Sequence, residues 1–201
     1  MDIPFEPEEH YHIFNHAIGD ENLFRSDDNY RYFLNKYAEH VQPVCKTLAY
    51  CLMSNHFHLL VQIRSEEEIN EWLLSQNKKV STPETFHKIM MQRFQNFLNG
   101  YTQAYNKIYD RKGGLFLHFL KRKKIVSDAY LSKIVHYIHY NPVHHGFCRD
   151  VMDWTHSSIH AYYFDKPTKL DKEQVLKWFG DKQEFWRFHQ QKPDILDDLE
   201  M

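Results

Sequence analysis

Residues 48–63 read LAYCLMSNHFHLLVQI. The stretch joins two apolar runs, Lys46 to Met53 and His56 to Ile63, across the polar pair Ser54-Asn55. Such a pair between strand-forming runs predicts a tight turn, so the runs should form antiparallel strands. Within a strand, residues two apart share a face. His56, His58, Leu60 and Gln62 therefore face one way. Phe57, Leu59, Val61 and Ile63 face the other, which the spacing assigns to the core. Two imidazoles adjacent on one face can converge on one divalent ion if another element adds a ligand. Neutral imidazole plus an amide or carboxylate oxygen favours Mg²⁺ or Mn²⁺, with positions left for phosphate. The chain holds 15 histidines, so an HxH pair also arises without any ligand role.

On the N-terminal side, Tyr11 to Ala17 (YHIFNHA) reads as a first strand, broken by Gly19 and Asp20. Asp27 or Asp28 caps a helix to about His40, with Tyr30, Phe33, Leu34, Tyr37 and Ala38 at helical spacing. Residues 64–86 are polar and read as a short helix and a loop. Thr85 to Ile108 is a long helix in which Met90, Phe94, Phe97, Tyr101 and Tyr105 recur at threes and fours, with Gly100 as a breaker inside it. Leu115 to Ile125 is a strand with a basic end. Val126 to Asn141 is a helix stopped by Pro142 and Gly146. This order predicts an α+β fold, a small antiparallel sheet with helices on one face. The pattern changes after Phe164. Residues 1–164 form the domain, and residues 165–201 a helical, partly acidic C-terminal extension, with one or two small helices packing on the domain or on a partner.

On a helical wheel, Leu131, Ile134, Val135 and Ile138 fall in one apolar arc. Tyr137 and Asn141, four residues apart, share one edge of that arc. There a side chain is held without full burial, while His136, His139 and Tyr140 point elsewhere. A phenol hydroxyl is a weak nucleophile that needs activation or an electrophilic phosphate. An asparagine carbonyl one turn later could bind the same metal. Equally, Tyr137 is a core aromatic and Asn141 ends the helix before proline, where helical geometry is disfavoured.

The net charge of −2 names no nucleic-acid partner, but its distribution is uneven. Acids concentrate in residues 6–28. Lys107, Arg111, Lys112, Lys121, Arg122, Lys123 and Lys124 concentrate in residues 107–124, a stretch that could follow a phosphate backbone or form a solvated edge. The three cysteines, Cys45, Cys51 and Cys148, form no CxxC pair and read as reduced thiols of a cytoplasmic protein. The start, MDIPFEPEEH, has no signal-peptide pattern. No apolar run approaches the roughly 20 residues that span a bilayer.

Several motifs in order, YHIFNHA, LAYCLMSNHFHLLV, GGLFLHFLKRKK, DAYLSKIVHYIHYNPVHHGF and DWTHSSIHAYY, resemble the single-tyrosine HUH transposases of the REP-associated type over roughly residues 8–163. The resemblance implies a ferredoxin-like fold. His56 and His58 would be metal ligands, Asn141 the third ligand, and Tyr137 the nucleophile. Tyr137 would attack single-stranded or hairpin DNA, leaving a 5′-phosphotyrosine and a free 3′-hydroxyl, with Mg²⁺ or Mn²⁺ polarising the phosphate. Lys121, Arg122, Lys123, Lys124, Arg111 and Lys112 would contact the backbone. The molecule would be a nucleoid-associated monomer or homodimer. Relatives often carry arginine where His16 stands and Gln-Arg where Leu117-His118 stands, positions expected to touch DNA. Two alternatives stay open: a non-cleaving hairpin-DNA-binding protein, and a metal-dependent phosphoesterase that uses water with Tyr137 structural.

Overall fold

In the computed structural model, residues 3–117, 120–164 and 167–193 are described. Strand β1 (His10–His16) leads through α1 (Asp27–His40) to β2 (Cys45–Leu52), which turns back as β3 (His56–Ile63). Two helices follow, α2 (Glu66–Ser75) and α3 (Pro83–Ile108), then β4 (Lys121–Ile125) and α4 (Asp128–His144). Three short helices close the described chain: α5 (Ile159–Tyr163), α6 (Lys172–Phe179) and α7 (Lys182–His189). The strands form one sheet in the order β2-β3-β1-β4, with every neighbouring pair antiparallel. β1-α1-β2 and β3-α2-α3-β4 are each a crossover that skips one strand, the ferredoxin-like arrangement the motifs implied.

Local chemistry explains most boundaries. Ser26 holds the N-cap position of α1, so Asp27 and Asp28 lie in its first turn. Their carboxylates suit the positive end of the helix dipole. Ser65 and Glu68 form a reciprocal capping box at the start of α2. Thr82 and Pro83 open α3, which runs unbroken through Gly100. β4 is shorter than the expected Leu115–Ile125. Phe116 forms an isolated bridge to Ala17, just past β1, and the β4 ladder with β1 covers Lys121–Ile125.

The α+β class and antiparallel sheet are as expected, with one amendment. The helices of the ferredoxin-like core do lie on one face: Phe33 and Tyr37 of α1 and Phe94, Phe97 and Tyr101 of α3 pack against Phe57, Leu59 and Val61. The other face is not open. Helix α4 lies across β2 and β3, placing Leu131, Ile134, Val135 and Ile138 on Ala49, Cys51 and Leu60. Val175 of α6 and Phe185 of α7 then join the same cluster, so the C-terminal helices pack on the domain. The histidine face of β3 is therefore buried from His56 to Leu60, and only Gln62 is half-buried.

Pro142 does not stop α4, which continues to His144. Proline removes one N–H and disfavours helical geometry at the residue before it. The cost falls within the last turn, and Asn141, helical despite its position, is fully buried. Cys45 and Cys51 are buried free thiols. No helix among the described residues is long and apolar enough to cross a membrane.

Candidate metal and nucleophile site

Sheet register brings the polar residues of β1 and β3 together. His16 pairs with His56, Phe14 with His58 and His12 with Leu60. Helix α4 crosses above them. His56 Nε2 lies 3.1 Å from Asn141 Oδ1, across 85 residues of sequence. The Tyr137 ring stands edge-on to His58 at 5.6 Å and to His12 at 6.0 Å. All four residues singled out from the sequence thus meet at one place. Tyr137 is 2% exposed and Asn141 0%, so neither sits at the half-open edge that the wheel predicts. The C-terminal helices cover what would be the solvent side of α4. His136 and His139 point into that cover, their rings 4.9 Å and 5.0 Å from that of His189.

Burial sets the charge of the imidazoles. Desolvation, with a smaller push from Lys123, lowers the pKa of His12 to about 3. Desolvation also lowers His56 to about 4, opposed by its contact with Asn141 and helped by His16 and His145. His58 falls well below its ordinary value, first through burial and then through His12 and His56. All three are neutral near pH 7, the form in which imidazole donates a lone pair to a metal.

The hydrogen bonds restrict which nitrogens can donate. His56 Nδ1 is 2.8 Å from Asn55 Oδ1, and His58 Nδ1 is 2.9 Å from His12 Nε2. With the amides oriented this way, a neutral His56 has one N–H for two acceptors, and the tautomer that leaves Nε2 free for a metal donates Nδ1–H to Asn55. Its bare Nε2 then faces a second acceptor, Asn141 Oδ1. Two acceptors 3.1 Å apart repel unless a cation lies between them. Two bonds of about 2.1 Å at right angles span roughly 3.0 Å, so the spacing suits neighbouring donors on a small divalent ion. Asn141 Nδ2 is buried with no hydrogen-bond partner among the described residues. The donor set of two imidazoles and an amide oxygen fits such an ion. Among the described residues, no group of three His, Cys, Asp or Glu side chains is placed to hold a metal.

The basic stretch divides by strand alternation. Lys121 and Lys123, opposite Phe14 and His12, belong to the histidine face. Arg122 and Lys124 face the other way. Arg122 is buried over the Phe5 ring, and Lys124 Nζ lies 2.9 Å from Glu6 and 3.2 Å from Glu9. Arg111 is engaged by Glu21 at 2.9 Å, whereas Lys112 is exposed. The six bases therefore do not form one phosphate track. His16 is exposed and stacks on His56 at 4.5 Å. Leu117 is exposed at the end of β1, and His118 lies outside the described residues.

Sequence reasoning missed His12 and Asn55. The signal for His12 was present: His10, His12 and His16 fall on alternating positions of β1 and so share a face. Only the β1–β3 register shows that this face meets His58.

Comparison with models of known protein families returns no match. A protein of Haemophilus influenzae named as a REP-associated tyrosine transposase is 26% identical over 133 residues, which span 64% of this chain and 69% of that protein. A solved structure, described as that of the REP-associated tyrosine transposase bound to a REP hairpin, superposes with a TM-score of 0.58 at 13% identity. The match covers 81% of this chain and 84% of that one. The chain resembles the REP-associated tyrosine transposases in sequence, and it has their fold. The likeness drawn from the motifs is borne out, and with it the α+β class with its antiparallel sheet.

Proposed function

We propose that this protein is a transposase-like enzyme that cuts and rejoins single-stranded or hairpin DNA through Tyr137. The observation that carries the reading is the convergence of His56, His58, Asn141 and Tyr137 from two elements distant in sequence. The likeness to a transposase described as bound to a REP hairpin supports hairpin DNA as the substrate class.

His56 and His58 would hold a divalent ion, Mg²⁺ or Mn²⁺, through Nε2, and Asn141 through Oδ1. The bound ion would withdraw charge from the phosphate and make phosphorus more electrophilic. Tyr137 gives up its phenolic proton as its oxygen bonds to phosphorus. The phosphorus–O3′ bond breaks, and the departing oxygen takes a proton to become the 3′-hydroxyl. The 5′-phosphotyrosine keeps the phosphodiester bond energy, so attack by a 3′-hydroxyl on the same phosphorus reseals a strand and restores the phenol. Lys121 and Lys123, on the same sheet face, would counter the charge of the incoming phosphates.

One observation favours a second reading, a relative that holds hairpin DNA without cutting it. Tyr137 is 2% exposed, so a phosphate reaches its hydroxyl only if a neighbour moves. Incubation with labelled hairpin-bearing single-stranded DNA and Mn²⁺ separates the two. The cutting enzyme gives a denaturation-resistant protein–DNA band that Tyr137→Phe abolishes. Binding with no such band supports the holding protein. Cleavage that survives Tyr137→Phe assigns the attack to water and overturns the tyrosine mechanism.

A further inference from the structure

We propose that His12 and Asn55 are positioning residues. Each takes the Nδ1–H of one candidate metal-site histidine, His12 from His58 and Asn55 from His56, so that both Nε2 atoms keep their lone pair for a metal. The inference rests on the reading of His56, His58 and Asn141 as a cation site, and it concerns what makes that site competent.

A neutral imidazole carries one N–H and one lone pair, and the partner of the first nitrogen decides which nitrogen keeps the lone pair. Both Nδ1 atoms are engaged by side chains, at 2.9 Å for His58 and 2.8 Å for His56. His12 and Asn55 come from different places, the middle of β1 and the turn before β3, yet they do the same thing. His12 is a costly choice for a packing residue. It is fully buried, and its Nδ1 has no hydrogen-bond partner among the described residues. An orphaned buried polar atom is destabilising, and an apolar side chain would avoid it. Asn55 is fixed by its backbone as well, its carbonyl accepting from Ala17 N at 2.8 Å.

The test uses the full chain with two readouts, ¹⁵N-histidine spectra of metal-free protein and titration with Mn²⁺ followed by the resonance of the free ion. The expected spectra show His56 and His58 protonated at Nδ1. His12→Phe should weaken Mn²⁺ binding by about 10–100-fold. His12→Gln, whose amide oxygen reaches the place of Nε2, should restore most of it. Asn55→Ala and Asn55→Asp should behave as the corresponding pair. Circular dichroism checks each fold, and if His12→Phe does not fold, the spectra and the Gln variant decide. His58 protonated at Nε2 in the wild type, or His12→Phe binding Mn²⁺ as tightly as wild type, overturns the proposal. If wild type takes up no Mn²⁺, the cation reading fails, and the spectra alone still decide whether His12 and Asn55 set the tautomers.

Discussion

Lowering the pH from 7.5 to 5.5 should cost this fold about half of its stability or more. Burial holds five histidines in the neutral form: His12, His56, His58, His139 and His189. It is the first cause of each shift, holding His12 and His189 at about 3, His56 at about 4, and His58 and His139 well below the ordinary value. Because the folded pKa values lie below those of the unfolded chain, protons bind preferentially to the unfolded state. Stability is full above about pH 6.5 and falls as the pH drops from there toward the folded values. At pH 5.5 an unfolded histidine is about 90% protonated, so each buried one costs about 1.4 kcal/mol. Five cost about 7 kcal/mol, against a total of roughly 5–15 kcal/mol for an ordinary domain. Urea unfolding followed by circular dichroism at pH 7.5, 6.5 and 5.5, with chelator present so that no metal holds the imidazoles, measures the loss. His189→Phe should reduce the slope by about 1.4 kcal/mol per pH unit in the acid range. A stability that changes by less than about 2 kcal/mol between pH 7.5 and 5.5 would refute the burial argument, since even two such histidines cost more.

The other expectations concern packing and charge. Phe185→Ala should cost about 3–5 kcal/mol, because Phe185 is fully buried in the cluster beneath α4; a loss under about 1 kcal/mol in urea titration would separate α7 from the core. Gly100→Ala should add about 0.5–1 kcal/mol, since a Cβ there meets Lys36 Cδ no closer than 3.8 Å, and a lower melting temperature would contradict this. Replacing Lys121 and Lys123 together by alanine should flatten the salt dependence of single-stranded DNA binding by a slope of about 1.4. Lys124→Ala should leave that slope nearly unchanged, its ammonium being held by Glu6 and Glu9. Anisotropy titrations over a salt series compare them, and equal effects would contradict the division of β4 into two faces.

Much of this protein was legible residue by residue. β3 begins and ends where alternation put it, at His56 and Ile63, and α1 and α3 follow their apolar spacing to within two residues. The shared face of Tyr137 and Asn141 is likewise local, because one helical turn fixes it whatever surrounds the helix. What failed was local reasoning applied to burial. Pro142 reads as a stop because the reading weighs one lost hydrogen bond without the packing around Asn141. The histidine face of β3 reads as open because nothing in residues 56–63 records that α4 will lie on it.

Local patterning therefore settled the repeating geometry of each element, the α+β class and the pairing of site residues within an element. Which elements meet was settled by the folded chain. The contact of His12 with His58 spans 46 residues, and that of His56 with Asn141 spans 85. The same assembly divided the basic run of β4: Lys121 and Lys123 lie on the face of the site, Arg122 and Lys124 on the face of the N-terminal segment. The physical reason is range. Backbone sterics and side-chain periodicity act over a few residues, whereas register and helix docking are set by the shape and polarity of whole faces, which exist only once the chain has closed on itself.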